Sequence, residues 1–118
     1  MSQIVDLKIY ELKNINTPIE VSVQIGNNQT ATSDIYLNGN QFKTKLIDDF
    51  AELIGNSDDL RTGQMTISTV IHDVNPNDNK VVFRYKIKGG SRVLNPPSIR
   101  LPVEEGGVAH FFTRIFFV

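Results

Sequence analysis

Apolar and polar residues alternate along most of this chain with a period of two, which is typical of half-buried β-strands. The clearest case is PIEVSVQIG, where isoleucine or valine occupies every second position from Ile19 to Ile25. We predict further strands in residues 4–12, SDIYLNG, MTISTVIHD and KVVFRYKIKGG. In residues 4–12 the set expected to face the core is Val5, Leu7 and Ile9.

The pattern changes between residues 41 and 54. There the apolar residues recur at spacings of three and four, which predicts an amphipathic α-helix. Its apolar stripe would comprise Phe42, Leu46, Ile47, Phe50, Leu53 and Ile54. Gly55 suits the position after the helix, and NSDDLRTG beyond it leaves room for one short helical turn.

Six or seven strands, the seventh near residues 98–101, make the predicted fold mainly β. Short turns between successive strands indicate an antiparallel β-sandwich, either immunoglobulin-like or a partly open barrel. The amphipathic helix at 41–54 would cross between the two halves of the sheet. A length of 118 residues fits one ordinary domain, so we expect residues 1–118 to form a single domain.

The last predicted strand, GVAHFFTRIFFV, is apolar on both faces. If its odd-numbered residues face the core, the outward side chains Phe112, Phe116 and Val118 need a cover. Three arrangements could cover these side chains. They are packing of the predicted helix, binding of a second copy or another protein, and enclosure in a barrel that binds an apolar ligand. The first measurement this question calls for is the mass in solution.

A basic stripe lies on the predicted outer face of KVVFRYKIKGG, although the net charge of the chain is only −1. The stripe consists of Lys80, Arg84, Lys86 and Lys88. A phosphate backbone could follow it, but Phe83 and Tyr85 point the other way, whereas RNA-binding sheets place aromatic rings beside their basic residues. The pattern therefore argues against nucleic acid and favours a solvated face, with an acidic partner or neighbouring copy as a third option.

Catalytic and metal-binding chemistry finds little support in the sequence. There is no cysteine, which excludes disulfides and thiolate chemistry. HDVNPNDNKV matches the first oxygen ligands of an EF-hand loop but lacks its glycine and final glutamate, so it favours a turn. Neighbouring His72 and Asp73 would project to opposite faces of a strand, and His110 has no carboxylate near it in sequence. We expect no catalytic residue, no metal and no cofactor.

The N-terminal residues give the one indication of the cell compartment, because they do not match a signal peptide. Asp6 and Lys8 interrupt the apolar core that a signal peptide would need. No apolar run approaches the roughly 20 residues of a membrane helix. We therefore expect a soluble, cytoplasmic protein without a membrane span.

These patterns favour a non-enzymatic protein-interaction or assembly module, such as an accessory or structural subunit of a bacterial assembly. It would bind a second copy, as a homo-oligomer, or another protein through its C-terminal aromatic strand. The interaction residues would be Phe112, Arg114, Phe116 and Val118. The alternative is a small β-barrel that carries an apolar small molecule in a cavity. That cavity would be lined by Phe83, Tyr85, Phe111 and Ile115.

Overall fold

Two β-sheets packed face to face form the structure, a computed structural model that describes residues 2–118. The elements are β1 (Ser2–Tyr10), β2 (Pro18–Gly26), β3 (Thr30–Leu37), β4 (Asn40–Ile47), β5 (Phe50–Asn56), α1 (Ser57–Leu60), β6 (Gln64–His72), β7 (Lys80–Lys88), β8 (Ile99–Pro102) and β9 (Val108–Phe117). The predicted mainly β sandwich is confirmed, and the described residues form no closed barrel.

The five-stranded sheet has the order β1-β9-β6-β3-β4, and the four-stranded sheet has the order β5-β2-β7-β8. Neighbouring strands are antiparallel except β1 and β9, which run parallel. Their pairing extends from Ser2 opposite Ala109 to Tyr10 opposite Phe117. The first and last strands of the chain therefore lie side by side, with β1 at the edge of the sheet.

The hydrophobic core lies between the two sheets. The rings of Phe83 on β7 and Phe111 on β9 stack across it with their centroids 4.8 Å apart. Tyr85 and Ile115 are buried beside them. The four residues that the barrel hypothesis places around a ligand cavity are thus packed in the interior of a sandwich, and the barrel architecture is absent from the described residues.

The prediction of an amphipathic crossover helix in residues 41–54 is wrong. These residues form β4 at the edge of the five-stranded sheet and β5 at the edge of the four-stranded sheet. Lys45 has a φ of 57° within a bulge, where three steps along β4 match two along β3, and Asp48 has a φ of 53° where the chain changes sheets. Because a bulge and a turn both interrupt the period of two, the apolar residues acquire helix-like spacings.

Acidic residues stabilise this crossing between the sheets. The Asp48 carboxylate accepts a hydrogen bond of 2.9 Å from the backbone N–H of Ala31. The Asp49 carboxylate accepts one of 2.7 Å from the backbone N–H of Ile25. The two aspartates thus satisfy backbone donors near the end of β2 and the start of β3.

The one helix in residues 2–118 is the short α1, in the segment expected to leave room for a helical turn. Its residues Ser57 and Leu60 are buried, and Ser57 Oγ lies 2.8 Å from Thr17 Oγ1. Nothing in the described part of the chain is a helix long and apolar enough to cross a membrane.

Candidate interaction surface

The first strand faces the opposite way from the prediction. Val5, Leu7 and Ile9 are 61%, 58% and 63% exposed, whereas Tyr10 is fully buried. Successive residues of a strand point to opposite sides, so the buried Tyr10 leaves the aliphatic set on the outside. The expectation that Val5, Leu7 and Ile9 face the core is therefore wrong.

Polar contacts on the inner side of β1 explain this orientation. The Tyr10 hydroxyl donates to the backbone oxygen of Arg92 and accepts a hydrogen bond of 2.9 Å from the Gly90 N–H. A Cβ atom at Gly90 would lie 2.6 Å from the Tyr10 ring, so the close approach requires glycine. These contacts between distant parts of the chain hold Tyr10 in the core.

A second inner contact joins β1 to the four-stranded sheet. The Tyr85 hydroxyl donates to Asp6 Oδ2 at 2.8 Å, and Lys8 Nζ lies 3.0 Å from Asp6 Oδ1. Burial raises the pKa of Tyr85, and the hydrogen bond to Asp6 and its negative charge raise that pKa further. The charged residues of β1 are thus paired at the rim of the sandwich, and the outer side of the strand carries Val5, Leu7 and Ile9 after Gln3.

The odd-numbered and even-numbered residues of the last strand lie on its inner and outer sides, respectively. Its odd-numbered residues from Ala109 to Phe117 are buried in the core. On the other side Phe112 is half-buried, Arg114 is exposed, and Phe116 and Val118 are 39% and 51% exposed. The four residues named as interaction candidates therefore all lie on the outer side of the five-stranded sheet.

The register of β1 and β9 merges their outward side chains into one surface. Val5 lies opposite Phe112, Leu7 opposite Arg114, and Ile9 opposite Phe116. We call this surface the β1/β9 outer face and define it by Val5, Leu7, Ile9, Phe112, Arg114, Phe116 and Val118. Two shallow grooves of about 340 and 460 Å³ run along it. An exposed apolar patch of this kind is a usual mark of an interaction site.

His110 borders this surface and is held in place. Its Nε2 lies 2.7 Å from Ser68 Oγ, and its ring packs against Phe112 with the centroids 3.9 Å apart. Burial lowers the pKa of His110 below its ordinary value of 6.5. Sequence alone had left His110 as an isolated polar residue.

Acid is expected to destabilise the fold through His110. Because the folded-state pKa is lowered, the stability that neutral His110 contributes is complete above pH 6.5 and falls as the pH drops through the lowered pKa. Urea unfolding at pH 8 and pH 5 should show a larger loss for the wild type than for His110→Gln. Equal losses in the two proteins would contradict this assignment.

The basic stripe lies where the sequence predicts, on the outer side of β7. Lys80, Arg84, Lys86 and Lys88 are exposed, while Phe83 and Tyr85 point into the core. Lys88 Nζ forms an ion pair with Glu20 Oε1 at 3.2 Å. The stripe is therefore partly neutralised at one end.

The segment with EF-hand-like oxygens connects β6 to β7. The Asp73 carboxylate accepts hydrogen bonds from Gln29 Nε2 at 2.8 Å and from the Gly106 N–H at 3.1 Å. Asn75 Oδ1 accepts from the Asn77 N–H at 2.9 Å. These oxygens serve the connection itself, and within residues 2–118 no three histidine or acidic side chains group as a metal site would require.

Comparisons of the chain with protein-family models, curated proteins and solved structures found no match. A function for this chain is therefore proposed from the surfaces of its structure. Two of them are candidates: the β1/β9 outer face on the five-stranded sheet, and the basic outer side of the four-stranded sheet.

Proposed function

We propose that this chain is a non-enzymatic assembly module that binds a second copy of itself through the β1/β9 outer face. The observation that carries the proposal is the exposed, mainly apolar surface along two paired strands, in which Arg114 is the one charged member. Of the three covers considered for the last strand, the helix is not formed by residues 41–54, and this surface lies outside the sandwich rather than in a barrel. Such a role suits an accessory or structural subunit of a larger assembly.

The β1/β9 outer face is self-complementary. A two-fold contact uses the same patch on both partners. With the axis parallel to the strands and between β1 and β9, the aliphatic β1 of one copy faces the Phe-Arg-Phe series of the other. At each level along the strands, an aliphatic side chain of one copy then contacts a phenylalanine ring, or the methylene groups of Arg114, in the other copy. The two Arg114 charges do not lie directly opposite each other in this arrangement.

The size of the surface sets the expected strength of the contact. The nine paired positions of the two strands cover a footprint about 30 Å long and about 10 Å wide. This is well below the roughly 800 Å² per partner of a standard stable interface. We therefore expect association that depends on concentration rather than a permanent dimer.

The test is light scattering over a concentration series for the wild type, Leu7→Lys, Phe116→Lys and Leu53→Lys. Leu53 is 61% exposed on the other sheet, close to the 58% of Leu7, so Leu53→Lys is a matched control. An ammonium group introduced at position 7 would face Arg114 in its own chain and in the second copy, and like charges within an apolar contact are strongly unfavourable. Leu7→Lys and Phe116→Lys should weaken association at least tenfold, whereas Leu53→Lys should behave as the wild type.

Two outcomes would contradict the proposal. A wild type that stays monomeric at every concentration would mean that a second copy is not the partner. Association that persists in Leu7→Lys would indicate another route, such as pairing along the free edge of β1. Circular dichroism of each variant establishes that a lower mass does not result from unfolding.

A further inference from the structure

The outer side of the four-stranded sheet carries a small polar recess between β2 and β7. Arg84 lies opposite Gln24, and Lys86 lies opposite Ser22. Together with Tyr85, whose side chain points into the core, these residues line a recess of about 160 Å³. The recess thus combines two cationic groups, an amide and a hydroxyl.

The Arg84 guanidinium is held in place without being neutralised. Its Nε and one terminal nitrogen donate to Asn95 Oδ1 at 3.2 and 3.0 Å. An amide oxygen carries no net charge, so the guanidinium keeps its positive charge and its other N–H groups remain available to an acceptor. A planar group fixed in this way is suited to bind a carboxylate or phosphate.

The neighbouring positive charges also lack a carboxylate. The ion pairs found in residues 2–118 are Lys8 with Asp6 and Lys88 with Glu20. Lys86 is therefore unpaired in the described chain, and so is Arg100, which lies opposite Val82 on β8. The field of this face is positive around Arg84 and weaker toward Lys88.

The shape and spacing of the face favour an extended acidic peptide. Arg84 and Lys86 are alternate residues of one strand, about 6.6 Å apart along it, and alternate carboxylates of an extended peptide have the same spacing. The recess is smaller than the roughly 300 Å³ or more of small-molecule pockets. The ring of Phe83 points into the core, so this face offers no platform on which nucleic-acid bases could stack.

We propose that the outer side of the four-stranded sheet binds an extended acidic segment of a partner protein. Carboxylates on alternate residues of that segment pair with Arg84 and Lys86, and Ser22 and Gln24 provide hydrogen bonds beside them. This contact is separate from the β1/β9 outer face, because the two lie on opposite sides of the sandwich.

Fluorescence anisotropy with a labelled peptide of alternating glutamate and serine tests the inference, and the glutamine–serine peptide is the neutral reference. The double variant Arg84→Gln with Lys86→Gln should lower affinity for the acidic peptide at least tenfold. The matched control is Lys43→Gln with Lys45→Gln, which removes the same charge from exposed positions on β4. Its affinity should stay within about twofold of the wild type, because surface charges beyond about 10 Å are screened at ordinary salt.

Three results would overturn the inference. The wild type could bind both peptides equally or neither. The control variant could lose as much affinity as the double variant of Arg84 and Lys86. Binding would then depend on the net charge of the protein and not on these two side chains. A labelled single-stranded oligothymidine could bind more tightly than the acidic peptide, which would make the partner a nucleic acid.

Discussion

Replacing Phe111 by alanine is expected to lower the free energy of unfolding by about 3–5 kcal/mol. The same change at Phe112, the next residue, should lower it by about 1 kcal/mol or less. Phe111 is 1% exposed and stacks on Phe83 across the sandwich, so its removal leaves a cavity between the sheets. Phe112 lies on the outer side, where its ring packs against His110 but fills no part of the core.

Urea unfolding followed by circular dichroism measures this difference. Domains of this size are usually stable by about 5–15 kcal/mol, so Phe111→Ala could leave little folded protein. Phe111→Leu retains part of the buried volume and keeps the transition measurable. Similar losses for Phe111→Ala and Phe112→Ala would contradict the assignment of one side of β9 to the core and the other to the surface.

Gln29→Ala is expected to lower the free energy of unfolding by about 2–3 kcal/mol, because the buried Asp73 carboxylate and several partly buried backbone groups lose their Gln29 partner. Gln29 Oε1 accepts hydrogen bonds from the N–H groups of Val74 and Asn75 at 2.7 and 3.0 Å. Its Nε2 donates to Asp73 Oδ1 at 2.8 Å and to the backbone oxygen of Lys80 at 2.9 Å. One side chain thus joins the start of β3 to both ends of the β6–β7 connection.

The control for Gln29 is Gln41→Ala, since Gln41 is exposed on the edge strand β4 and its truncation should change stability by less than about 0.5 kcal/mol. A double-mutant cycle with Asp73→Ala separates the network from its parts. Residues in one hydrogen-bond network show coupling of about 0.5–3 kcal/mol. Additive losses for Gln29→Ala and Asp73→Ala would mean that the two side chains act independently.

Local alternation was sufficient for β2 and β7, in which the apolar side faces the core and the polar side faces solvent. In β2 and β7 every second residue is apolar, and the structure buries that set, with Ile25 at the end of β2 only partly buried. Counting by two also separated the two sides of β9, but both sides are apolar, so the structure decided which of them is the inner one. The basic stripe was located for the same reason, because it is the other side of β7.

Residues 41–54 show where local periodicity fails. Leu46, Phe50 and Ile54 pack against the core at intervals of four residues, as they would on a helix. The bulge at Lys45 and the change of sheet at Asp48 produce this spacing in two separate strands. Such backbone features depend on pairing with β3 and β2, so the apolar pattern of the segment could not reveal them.

The sequence by itself determined that this chain is a β-sandwich and which residues of β7 face outward, because side-chain alternation is a local property of a strand. Only the tertiary structure decided that β1 turns its aliphatic side outward, since the contacts that hold Tyr10 and Asp6 come from residues about eighty positions away. It also decided that the two ends of the chain pair in parallel. Pairing between remote segments leaves no periodic signal, and the β1/β9 outer face exists only because that pairing brings two strands together.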